Sequence, residues 1–254
     1  MSDVVVSMGV TRLAPALLVL VASACASTRT AGTIVLVSAN TEWKVLHETF
    51  HEPDQQSPAG EWFVHHYPGA RDVLFFHGGW GKISAAASTQ YVIDRWRPRR
   101  LVNLGTCGGF EGRVSVGDVI LADRTLVYDI VEAMGDADEA IEAYATRLDS
   151  SMWPAALRGE VRTEILVSAD KDLVPGDIPR LVERYRASAG DWESGAIAWT
   201  ANKNGTPVVI LRGVSDVVGP GGSVTYGDMG SFEKGTRIVM ARLLELFARA
   251  LEYW

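Results

Sequence analysis

Residues 191–216 read DWESGAIAWTANKNGTPVVILRGVSD, and the fold turns on this stretch. Glu193 opens a segment, Ser194–Asn204, that reads as a helix. The polar break at Asn202–Gly205 ends it. Val208–Val214 is apolar and partly β-branched, which predicts a buried strand. Asp216 stands just past that run. A helix, a turn and a core strand in this order place Glu193 and Asp216 at the carboxyl edge of a parallel sheet, where α/β folds bind their ligands.

The same alternation extends outward. Thr33–Ser38 (TIVLVS), Val73–His77 (VLFFH), Leu101–Leu104, Val119–Ala122 and Glu164–Ser168 (EILVS) predict strands, with Trp62–Tyr67 as an edge strand and Leu126–Ile130 as an extension. Helices are expected over Thr41–Phe50, Lys82–Trp96, Asp136–Ala145, Ile178–Ala187 and Ser231–Trp254. In the second of these, Ile83, Ala86, Ala87, Val92, Ile93 and Trp96 are available for a buried side, and Pro98 ends it. The last offers Ile238, Leu243, Leu244, Phe247 and Leu251 as anchors. Glu52–Gly60 reads as a loop, and the glycine-rich Gly219–Gly230 as a mobile loop near the site. Strands alternating with helices predict a single-domain, three-layer α/β/α fold with a central mixed, largely parallel sheet, covering residues 32–254.

Bulk properties bound the function. With 254 residues, 47% hydrophobic and 22% charged, the chain can bury one sizeable core. A net charge of −7 argues against a nucleic-acid surface, which needs clustered cations. The basic clusters Arg95–Arg100 and Arg180–Arg186 read as solvated helix ends. Two cysteines, Cys25 and Cys107, make no disulfide framework, and no His/Cys cluster has metal-ligand spacing, so no metal is expected. At the N-terminus, residues 8–25 carry one Arg, a short apolar run and small residues before Cys25. That layout fits an export signal or a lipid anchor at Cys25; the alternatives are an extra N-terminal helix or an upstream start, with a cytoplasmic protein. Residues 1–31 are set apart from the fold on either account.

Between these elements lies a second informative block. Strand 101–104 runs into Gly105-Thr106-Cys107-Gly108-Gly109, read as a glycine turn whose backbone can approach a ligand closely. With Gly79-Trp80-Gly81-Lys82 before a helix, NLGTCGG, VGDVIL and the later WES and GVSD, the chain resembles the nucleoside phosphorylase and nucleosidase family over roughly 33–245. It looks most like methylthioadenosine/S-adenosylhomocysteine nucleosidases.

The resemblance implies roles residue by residue. Asp216, in the SD pair with Ser215, would protonate the departing base. Glu193, here in a Trp192-Glu193 pair, would bond the ribose hydroxyls, which gains strength as the sugar takes on oxocarbenium character. Glu42, just beyond the first strand, would position water. Gly105, Thr106, Cys107, Gly108, Gly109, Ser168, Leu173, Trp192, Ser215 and Arg212 complete the expected binding set, with Arg212 and Ser215 orienting Asp216 or neighbouring loops. The bland readings remain beside these: an N-cap or turn aspartate at 216, and first-turn glutamates at 193 and 42. Asp172 stands where the family carries an aromatic residue against the base, so Trp80 or Trp192 would have to supply a face.

A phosphorylase must hold a phosphate dianion, typically with arginine forks. This chain offers Glu42 in the first loop and Asn103 before the glycines, and a carboxylate repels phosphate. The expected reaction is therefore hydrolysis of the N-glycosidic bond of a purine-type nucleoside, without a cofactor. The alternatives are a phosphorolytic enzyme and a non-catalytic surface nucleoside-binding protein. The resemblance also implies a homodimer.

Overall fold

The computed structural model describes residues 32–69 and 72–254. The leader reading and Cys25 fall on residues 1–31, outside the described residues. In chain order the elements are β1 (Thr33–Val37), α1 (Asn40–Phe50), β2 (Gln55–Ser57), β3 (Gly60–His66), β4 (Asp72–His77), α2 (Gly81–Trp96), β5 (Arg100–Phe110), β6 (Val119–Val127), α3 (Ala137–Glu142), β7 (Thr146–Arg147), β8 (Arg162–Ser168), α4 (Ile178–Tyr185), β9 (Ala187–Asp191), α5 (Ser194–Lys203), β10 (Val208–Gly219), β11 (Gly222–Ser223) and α6 (Met229–Leu251).

Among the described residues, one mixed sheet of eleven strands runs in the order β11-β10-β6-β8-β9-β5-β1-β4-β3-β2, with β7 on β6. β10 also pairs in parallel with β5, so β5, β10, β6, β8 and β9 close into a ring. β1 lies parallel to both β4 and β5. Strand alternation divides the apolar side chains between two layers. Val35 and Val37 of β1 pack with Leu46 of α1 and Leu243 and Phe247 of α6. Ile34 and Leu36 pack on the other face with Ala85 and Val92 of α2 and Ile197 of α5. The three-layer architecture of the sequence analysis is present.

Several local expectations are corrected. Gly105–Gly109 is no turn: β5 continues through it, extended, to Phe110. The glycines are there because neighbouring groups press on the strand. A Cβ on Gly105 would stand 2.0 Å from Arg212 Nη1, and one on Gly109 2.6 Å from Val114 Cγ2. Likewise β10 does not stop at Val214. It runs to Gly219, so Asp216 lies within the strand, just after a register shift between Val214 and Asp216. Val119–Ala122 and Leu126–Ile130 merge into the single strand β6, irregular between Ala122 and Arg124.

β9 (ASAGD) was absent from the sequence reading. Its small residues carry no strand propensity, yet it is wholly buried between β8 and β5. The Glu52–Gly60 loop contains β2, which forms a hairpin with β3. Gly219–Gly230 holds the end of β10, β11 and the start of α6 rather than an unstructured loop. Three expected anchors point to solvent: Ile83 at 84% exposure, Ile238 at 61%, and Ala87. The buried side of α2 is instead Ala85, Ser88, Thr89, Val92 and Ile93.

Candidate active site

The site is built from strand ends and the residues just past them. Its centre is Arg212 of β10, fully buried inside the ring. A cation there needs anionic partners, since burying an isolated charge is prohibitive. Three carboxylates surround it: Asp191 Oδ2 lies 2.8 Å from Nε, Glu193 Oε2 3.8 Å from Nη2 and Glu42 Oε1 4.0 Å from Nη1. The Asp191 contact is an ion pair by distance, with the Nε–H angled off the hydrogen-bond direction. Asn103 Oδ1 accepts from Nη2 at 2.8 Å, and Asn103 Nδ2 donates to the Leu36 carbonyl at 3.0 Å, tying the guanidinium to β1.

Each carboxylate has a separate anchor. Glu42 Oε1 accepts from the Thr106 backbone N–H at 2.6 Å and its hydroxyl at 2.9 Å, while Oε2 accepts from the Ala39 N–H at 3.1 Å. The last bond is half of a capping box at the start of α1, so Glu42 caps its helix and reaches the site at once. Ala39, rather than Asn40, is the N-cap residue. Asp191 Oδ1 accepts from the Ser168 hydroxyl at 2.6 Å and from Ser194 N–H at 3.1 Å.

Glu193 is the N-cap residue of α5 and accepts the Gly81 N–H at 3.1 Å. Burial pushes its carboxyl up to about 8; the Asp191 and Glu42 charges add to this, while Arg212 opposes it. One guanidinium cannot balance three full negative charges, which favours the protonated form of Glu193.

Asp216 sits apart from this cluster. Ser215 donates to Oδ1 at 2.9 Å, Thr225 donates to Oδ2 at 3.1 Å, and Ser223 makes a short bond to Oδ2. Arg212 does not orient Asp216 directly: among the described residues its guanidinium reaches the three carboxylates, Asn103 and the Thr106 carbonyl, which accepts from Nη1 at 3.4 Å.

A cavity of about 480 Å³ brings the two halves together. Of the residues expected from sequence, Glu42, Thr106, Cys107, Gly108, Leu173, Trp192, Glu193, Ser215 and Asp216 line it. Gly105, Gly109, Ser168 and Arg212 stand behind the wall. Gly105 gives Arg212 room, and Ser168 holds Asp191 and the Gly195 N–H at 2.8 Å. At the rim, Trp80 and Trp192 stack with centroids 4.8 Å apart and planes 26° from parallel. Asp172 is part of the wall, and no arginine lines the cavity among the described residues. The sequence reading missed Asp191, Ser223 and Thr225. Asp191 was legible in principle, two residues before Glu193 and in register with Ser168.

The Phosphorylase superfamily profile matches residues 33–252. The chain belongs to the phosphorylase superfamily. It is similar to a 5′-methylthioadenosine/S-adenosylhomocysteine nucleosidase of Geobacillus thermodenitrificans, 30% identical over 167 residues that cover 61% of this chain and 71% of the relative. Among solved structures it resembles a nucleosidase of the same name from Colwellia psychrerythraea in complex with adenine, with TM-score 0.70 and 20% identity, covering 88% of this chain and 96% of that one. It also resembles a futalosine hydrolase mutant of Helicobacter pylori, with TM-score 0.69 and 15% identity, covering 86% and 99%. Superfamily membership fits a site made of strand ends around one cavity.

Proposed function

We propose that the protein hydrolyses the N-glycosidic bond of a purine-type nucleoside of the methylthioadenosine/adenosylhomocysteine kind, within one catalytic domain spanning residues 32–254. The observation that carries this reading is the convergence of Glu42, Glu193 and Asp216 on one cavity without an arginine on its wall among the described residues. Glu42, held by Thr106 and Ala39, positions water against the anomeric carbon and takes its proton. Glu193 hydrogen-bonds the ribose hydroxyls, contacts that strengthen as the sugar takes on oxocarbenium character. Asp216 protonates the base, so the C1′–N bond breaks as the C1′–O bond forms. The proton on Glu42 returns through solvent to Asp216. Arg212 holds the sugar end in place without touching substrate.

The test is release of free base in phosphate-free buffer from methylthioadenosine, adenosylhomocysteine, inosine and futalosine-type nucleosides. Asp216→Asn lowers kcat by about 10²–10⁴, the range of a lost general acid. Strict dependence on phosphate overturns hydrolysis. A homodimer and a lipid anchor at Cys25 belong to the same reading; sedimentation and N-terminal mass analysis test them.

A further inference from the structure

The segment after β10 turns back over Asp216. β11 pairs antiparallel with the end of β10, Val218 opposite Ser223, and the chain then continues to α6. Gly222–Asp228 forms a strap. It is fixed at one end by the Ser223 and Thr225 hydroxyls, which meet each other at 2.9 Å and both reach Asp216 Oδ2. At the other end Tyr226 donates its hydroxyl to the Leu173 carbonyl at 2.7 Å, across the cavity wall. Within the strap, Tyr226 N–H donates to the Ser223 carbonyl at 3.2 Å and Asp228 N–H to the Thr225 carbonyl at 3.0 Å.

We propose that Ser223 and Thr225 are positioning residues for Asp216: together with Ser215 they fix the plane of its carboxyl toward the base. This rests on the nucleosidase reading above. An aspartate held only by Ser215 on Oδ1 can still swing its other oxygen. Two donors on Oδ2 remove that freedom. When Oδ2 carries the proton that goes to the base, one lone pair remains and one hydroxyl can stay bonded. Either hydroxyl can therefore do the work, and each alone is partly redundant. Misplacement of a reacting group by about 1 Å can cost about a hundredfold in rate.

Kinetics give the first test. Ser223→Ala and Thr225→Val each lower kcat by less than about fivefold, whereas the double variant loses about 10- to 100-fold, with KM within twofold of wild type. Thr225→Ser, which keeps the hydroxyl, retains wild-type kcat and restores activity to Ser223→Ala/Thr225→Val when placed in its Ser223→Ala background. An unchanged kcat in the double variant overturns the proposal, as does a loss carried entirely by KM.

The second test needs no turnover. In the ligand-free protein, Asp216→Ala releases the strap, and the Tyr226 and Asp228 amides exchange with solvent at least about tenfold faster, while Val209–Leu211 amides are unchanged. Equal exchange in both proteins overturns the strap contact. A wild type that releases base from no nucleoside ends the nucleosidase reading, and exchange then decides the strap by itself.

Discussion

The two ends of the cavity hold their acids by different means. At one end Glu42, Asp191 and Glu193 are arranged around a single buried guanidinium, with backbone N–H groups and the hydroxyls of Thr106 and Ser168 completing the set. At the other, Asp216 is held by three hydroxyls, two of them on a strap outside the core. Buried ion pairs are expensive to make and costly to break, so the first end is rigid. Hydroxyls rotate and can either donate or accept, so the second end can follow a proton that comes and goes. The division matches the proposed chemistry, in which the sugar end must hold ribose and water in place while the base end delivers a proton to the leaving group.

The largest effect expected from this contrast is at Arg212. Arg212→Met leaves Asp191 and Glu42 buried without a cation. It should destabilise the fold by about 3–5 kcal/mol, the usual cost of breaking a buried pair from one side. For a chain of this size that is a fall in Tm of about 6–20 °C. Thermal melting checks it. The Ser223→Ala/Thr225→Val protein, altered only at the strap, should melt within about 2 °C of wild type. If the two variants melt alike, the rigid and adjustable ends are not distinct.

A smaller effect separates the glycines of the two regions. Gly105→Ala places a Cβ 2.0 Å from Arg212 Nη1 and 2.9 Å from Glu42 Oε1, so the guanidinium must move. Overpacking of this kind costs about 1–3 kcal/mol. Gly221 on the strap side has nothing within 4 Å of its Cβ position, and Gly221→Ala should change stability by less than about 0.5 kcal/mol. Denaturant unfolding of both variants measures the difference. Equal costs would mean that the sugar end accommodates added bulk as readily as the strap.

These regions were also unequally legible in the sequence. β1, β4, α2 and β8 announce themselves through apolar and β-branched runs, and Glu193 and Asp216 through their places beside such runs. β9 was hidden because Ala, Ser and Gly signal burial only once neighbours are known. The glycines of β5 look like a turn until Arg212, Leu173 and Val114 are seen pressing on them. In an unbroken strand residues four apart share a face, which would set Arg212 beside Asp216. The register shift after Val214 breaks that alternation, and Arg212 faces the other acids instead. The strap contacts escaped notice because Ser223 and Thr225 reach Asp216 through a chain reversal that no local pattern specifies.

The finest distinction is electrostatic. Burial lifts Glu193 from its ordinary 4.5 to about 8. Between these values the unfolded chain has lost a proton that the folded protein retains, so folding binds protons and stability falls as pH rises. The contribution is complete below about 4.5 and is lost as pH passes about 8. Its slope approaches about 1.4 kcal/mol per pH unit. Glu193→Gln is neutral at every pH and lacks this dependence. The stability of wild type relative to Glu193→Gln should therefore fall by about 3 kcal/mol between pH 5.5 and 8, read from parallel denaturant melts. A difference that stays flat across that window would mean that Glu193 ionises in the folded protein as it does in the unfolded chain. The sugar end would then be rigid for a different reason than the one its geometry supplies.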